Sequence, residues 1–141
     1  MSNKFHRNER LKSRKEIGRL FGKSGRSLSS YPLRLVYAEA EEVRGTFPYQ
    51  VAFVVPKRRF KKAVDRNLIK RRVQEAYRLQ KRLIGAHTQV QGNTPRKQWA
   101  PPAKQLALMF IYTGKEAMPQ AYIERKMKKL LGQLAERESL T

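Results

Sequence analysis

No cysteine occurs in the 141 residues. Disulfides, thiolate-held zinc and thiol nucleophiles are thereby excluded, and the composition suits a reducing cytosol, so a cytoplasmic location is expected. Carboxylates are scarce as well: 11 Asp+Glu stand against 32 Lys+Arg, and Asp65 is the sole Asp. A two-metal nuclease needs several carboxylates in one cleft, whereas here Glu39, Glu41 and Glu42 share a turn and Glu136 and Glu138 sit near the C-terminal end. The two histidines, His6 and His87, are isolated, with no His-x-x-x-His and no Gly-rich loop ending in Lys-Ser/Thr. No catalytic side chain and no metal site is expected in the protein itself. Apolar runs all fall short of the ~20 residues of a membrane span, and the basic N-terminal stretch lacks the apolar core of a secretory signal. No membrane partner is expected.

What is abundant is positive charge. The net charge is +21 and the pI about 10.9. Repulsion at that charge costs stability, so a neutralising polyanion is the natural partner, nucleic acid first. Apolar residues make up 40%, enough for one modest core in a single domain over 1–141. Residues 1–9 read as a mobile arm. Leu11, Ile17, Leu20 and Phe21 are spaced for a short amphipathic helix beginning near Ser13. The Gly/Ser stretch 22–32 reads as a loop with room for a hidden strand near 23–32. Residues 33–40 and 48–56 read as strands joined by a hairpin connection. In the second, Tyr49, Val51, Phe53 and Val55 share one face and Gln50, Ala52 and Val54 the other. Residues 62–84 predict one helix of roughly 30 Å, 85–104 a long loop containing Trp99, 106–112 a strand, and the remainder a last helix with Ala121, Tyr122, Met127, Leu130, Leu131 and Leu134 toward the core. The order α-β-β-(β)-α-β-α predicts an α+β, two-layer sandwich.

Gly and Pro are absent from Lys57 to Ile84, and twelve Lys/Arg fall between Lys57 and Arg82 against two acids. On a helical wheel Val64, Leu68, Ile69, Val73, Ala76, Tyr77, Leu79 and Leu83 form one broad apolar arc. The opposite arc carries Asn67, Lys70, Arg71, Gln74, Arg78, Lys81 and Arg82, with Arg66 at the seam and Arg72 toward the apolar side, where it must find a partner. Like charges at i,i+4 each cost a few tenths of a kcal/mol. Lys57, Arg58, Arg59, Lys61 and Lys62 crowd the helix N-terminus, where the dipole disfavours exposed cations by about 0.3–1 kcal/mol each. Open backbone N–H groups plus these cations make a phosphate-binding site.

"FKKAVDRNLIKRR", following a strand and "PKRR", resembles the conserved helix of the protein subunit of bacterial ribonuclease P. Phe60, Lys62, Ala63, Arg66, Asn67, Lys70 and Arg71 match the family pattern in register, and "ERLKSRKEIGRLF" is similar to its opening. Lys61 stands where the family usually has Gly, Leu68 replaces the second Arg of Arg-Asn-Arg, and Ile17 sits where an aromatic is common.

The resemblance implies a fold similar to ribosomal protein S5 domain 2 with a left-handed crossover. It implies a role assisting a catalytic RNA subunit in endonucleolytic removal of the 5′ leader from precursor tRNA. Mg2+ would be held mainly by that RNA and none by the protein alone. The partners would be the catalytic RNA and precursor tRNA, with no protein partner. RNA contact would fall to Arg58, Arg59, Lys61, Lys62, Arg66, Asn67, Lys70, Arg71, Gln74 and Arg78, and a leader cleft between the first helix and the sheet to Ile17, Phe21 and Phe53. The alternative is a structural RNA-binding protein of ribosomal type, which would share charge and helix and lack the cleft. A DNA-binding reading is disfavoured because no short turn joins the basic helix to a partner helix.

Overall fold

In the computed structural model, which describes residues 5, 9–22, 25–43, 47–84 and 105–138, the chain order is α1 (Arg14–Leu20), β1 (Arg26–Ser30), β2 (Leu33–Glu39), β3 (Tyr49–Val54), α2 (Ala63–Gln80), a 3-10 turn (Lys81–Ile84), β4 (Leu106–Tyr112) and α3 (Gln120–Glu138). Among the described residues the sheet has the order β1-β2-β4-β3. β1 and β4 both pair antiparallel with β2, and β3 runs parallel to β4. The most apolar strand thus takes an inner position, where both faces are covered.

This order overturns the expected hairpin between the second and third strands, because β4 inserts between them. The Gly/Ser stretch supplies β1, whose Ser30 pairs with Leu33 so that Tyr31-Pro32 is a two-residue turn with a cis peptide bond. β1 is an edge strand with three exposed residues of five, so its sequence carries little apolar signal.

Strand alternation divides the core. Leu33, Leu35 and Tyr37 of β2, Tyr49, Val51 and Phe53 of β3, and Leu106, Leu108 and Phe110 of β4 pack under α2 and α3. Val36, Ala38, Ala107 and Met109 face α1, where they meet Leu11 and Leu20 with Ile17 and Ala52 alongside. α1 starts at Ser13, whose hydroxyl accepts from the Glu16 amide at 3.3 Å. The buried Glu16 carboxylate accepts from Arg19 and from the amides of Glu41 and Glu42, tying α1 to the exit of β2.

A mobile arm over 1–9 does not hold at Phe5 and Glu9. Phe5 packs edge-on against Phe53 and Tyr77, and Glu9 forms a buried ion pair with Lys81. The Leu11 amide then donates to Val51 O at 2.9 Å, extending the sheet past its β3 edge. The rest of that arm, and the loop 85–104 with His87 and Trp99, lie outside the described residues. α3 buries Ile123 and Ala135 beside Met127, Leu130, Leu131 and Leu134, while Ala121 is exposed and Tyr122 half-buried beneath Arg125 and Lys126. No described helix is long and apolar enough to cross a membrane.

Candidate nucleic-acid interface

The buried stripe of α2 is Ile69, Val73, Ala76 and Tyr77. It is narrower than the apolar arc of the wheel: Val64, in the first turn, is 76% exposed, and Leu79 and Leu83 are partly exposed. Arg72 finds the partner its position demanded, donating to Met118 O at 2.7 Å, and Gln120 donates back to Arg72 O at 2.9 Å.

Opposite that stripe, Asn67, Lys70 and Arg71 are exposed and Gln74 half-buried. Lys81, placed by the wheel on the outward arc, is instead buried with Glu9, the Nζ–Oε1 distance being 2.8 Å. Lys81 opens a 3-10 turn, whose three-residue period places it on the same buried face as Ile84. Arg78 is also not open to a ligand in the way Lys70 is, because it bonds Glu75 through two nitrogens, at 2.9 and 2.5 Å. The same hydrogen bond holds the Glu75 carboxyl below its usual range.

The turn before α2 is anchored and outward-facing. Phe60 is buried against Tyr112, with ring centroids 5.8 Å apart. Arg66 Nη1 donates to Phe60 O at 2.8 Å and Lys61 O at 2.9 Å. Arg59 Nη1 donates to Thr113 O at 3.0 Å. With its backbone pinned this way, the turn holds Lys57, Arg58, Arg59, Lys61 and Lys62 in solvent. Lys62 occupies the N-cap without a side-chain cap, so the first amides of α2 open toward the same cations. Asp65 is the acid of that first turn.

Of the three residues expected in a leader cleft, Ile17 and Phe21 lie one turn apart at α1, and Phe53 lies across the sheet from them. Ile17 is half-buried on the α1 side of the sheet and Phe21, at the C-cap of α1, is 64% exposed. Phe53 belongs to the other face, stacked on Phe110 at 5.8 Å and in contact with Tyr77. Period-two alternation puts its neighbour Ala52, not Phe53, on the α1 side. Phe53 lines two cavities at the β3 edge, about 240 and 210 Å³, that share Phe53 and Lys70. Arg10 and Lys12 line the second, two cations that sequence reasoning left in the N-terminal segment without a role. Only the bridge between Arg10 and Val51 brings them there, and nothing in their spacing announces it.

No three His, Asp or Glu side chains converge among the described residues. Several carboxylates are already engaged, Glu9 by Lys81, Glu16 by Arg19, Glu75 by Arg78 and Glu138 by Arg26. Among the described residues these carboxylates are dispersed and paired with cations.

Fold and surface together define a small α+β protein with a rigid cationic face suited to a polyanion. The sequence matches the family model for Ribonuclease P over residues 5–135. It is 36% identical over 129 residues to the ribonuclease P protein component of Porphyromonas gingivalis, covering 92% of this chain and 85% of that one. It is 36% identical over 85 residues to the Chlorobaculum tepidum component, covering 59% and 54%. Among solved structures, the RNase P protein from Thermotoga maritima superposes with a TM-score of 0.62 at 23% identity, over 89% of this chain and 96% of that one. A Staphylococcus aureus RNase P protein mutant gives a TM-score of 0.62 at 19% identity, over 91% and 88%. The chain belongs to the ribonuclease P protein family.

Proposed function

We propose that this chain is the RNA-binding subunit of ribonuclease P, assisting a catalytic RNA in removing the 5′ leader from precursor tRNA. The observation that carries the reading is the anchored basic turn running into the outward face of α2, where Arg58, Arg59, Lys61, Lys62, Lys70 and Arg71 stand exposed. Docking that face on folded RNA releases counterions from the phosphates, which supplies affinity without base reading. Arg66 and Asn67, near the start of α2, line one cavity, so one phosphate can meet both. Any Mg2+ required is assigned to the RNA.

Leader contact is assigned to the α1 side. Phe21 offers an exposed ring there, and stacking on an unpaired base is worth ~1–3 kcal/mol. Phe21→Ala is expected to weaken binding of leader-bearing substrate while leaving mature tRNA nearly unchanged, as read by competition binding to the reconstituted particle. Equal losses for both would remove Phe21 from the leader path.

The deciding experiment mixes the protein with a ribonuclease P catalytic RNA and follows leader release from precursor tRNA at low Mg2+. Restored cleavage is expected. A structural RNA-binding protein of ribosomal type would bind RNA and leave cleavage where the RNA alone puts it.

A further inference from the structure

Tyr31 belongs neither to the core nor to the α1 side. It is 55% exposed, a large ring held in water at the tip of the β1–β2 turn. Its mount is rigid. Pro32 is buried and its carbonyl accepts from the Thr113 amide at 2.7 Å. Thr113 O in turn accepts from Arg59 at 3.0 Å. Two hydrogen bonds therefore tie the tyrosine turn to the exit of β4 and to the basic turn before α2. Gly114 allows the close approach: a Cβ there would come within 2.9 Å of both the Pro32 Cβ and the Tyr112 ring.

The surroundings are cationic. Lys57, Arg58, Arg59 and Lys115 are exposed at this end, and Glu116 is the one acid in 105–119. β2 separates Tyr31 from the place of α1. Leu33 begins the strand beside the turn and Glu39, whose carbonyl accepts from Arg19, ends it, a span of ~20 Å at the usual strand rise. Tyr31 is thus remote from Phe21 and adjacent to the phosphate-binding end of α2. A protein partner would need a continuous apolar patch, and an isolated ring among cations is instead the combination that holds unpaired nucleotides, base on ring and phosphate on cation.

We propose that Tyr31 is a stacking platform for an unpaired base of the RNA on which α2 docks, a contact that rests on the RNA-subunit reading and adds a second point of attachment to it. Every base has a π-face, so the contact is tolerant of sequence.

The test is equilibrium binding of wild type, Tyr31→Ala, Tyr31→Leu and Tyr31→Trp to a ribonuclease P catalytic RNA across a salt series, with thermal melting to check folding. Tyr31→Ala and Tyr31→Leu are expected to bind about 5- to 150-fold more weakly, with the slope of log K against log salt unchanged because no phosphate contact is lost. Tyr31→Trp is expected to bind at least as well as wild type. The leucine variant keeps apolar bulk on the turn, so a folding defect confined to alanine leaves the comparison intact. Wild-type affinity in the leucine variant, a slope change of about one unit, or failure of tryptophan to restore binding would overturn the stacking role alone. If wild type itself does not bind the RNA, the subunit reading falls and the stacking role with it.

Discussion

Lys81 and Glu9 set two opposite charges side by side in the interior, each 1% exposed, joining the N-terminal segment to the end of α2. Desolvating both ions offsets much of their attraction, but removing one partner leaves the other charge buried with its counter-ion gone. Lys81→Met is therefore expected to lower unfolding free energy by about 3–5 kcal/mol, and Lys81→Met with Glu9→Leu by clearly less; denaturant unfolding of both variants checks it. Buried tyrosines add a pH limit. Burial pushes the Tyr49 hydroxyl up to about 12 from 10.0, and it raises Tyr77 and Tyr112 as well. The unfolded chain releases these protons near pH 10 while the folded chain keeps them. The Tyr49 contribution is thus full below pH 10 and lost as pH rises through about 12, and those of Tyr77 and Tyr112 fall in the same direction. Melting temperature should fall over that window, and Tyr49→Phe should flatten the fall.

At the scale of elements, α2 does two jobs with one set of charges. Arg66 is both a candidate RNA contact and a staple, since its two backbone hydrogen bonds fix the turn; an Arg66→Ala loss of binding mixes both. Lys70 and Arg71 make no such bonds and are exposed. Lys70→Ala with Arg71→Ala is expected to leave the melting temperature within a degree or two and to reduce the salt slope of RNA binding by about 2 units. An unchanged slope would take the helix out of the interface. The helix was legible because its pattern is local: 3.6-residue spacing, no Gly or Pro, and a basic N-terminus. The start of α1 was legible because Ser13 is a capping type at the start of an apolar period. What sequence could not supply is non-local. Strand order depends on which strand competes best for an inner position, and Lys81 is buried with a carboxylate 72 positions away. Phe53 falls on the other face for a related reason, since parity relates it to its own strand but not to the side on which α1 settles.

For the molecule as a whole, a net charge of +21 on one domain is a standing repulsion that any bound polyanion relieves. A ligand binding only the folded state stabilises it by about 2.7 kcal/mol at a hundred times its Kd. Catalytic RNA at that excess should raise the melting temperature by several degrees, more than sodium chloride at matched ionic strength does. An equal rise from both would mean screening alone, with no specific seat for RNA. The α+β class follows from composition and pattern.

β4 has a consequence for how the protein is made. It is the last of the described strands yet lies between β2 and β3, which share no edge with each other. When a ribosome has synthesised residue 84, every cation of α2 has been translated while the sheet remains in two unjoined pieces. The nascent polypeptide therefore carries its stickiest segment ahead of the strip that completes it, and its first electrostatic company is whatever nucleic acid lies near the exit tunnel.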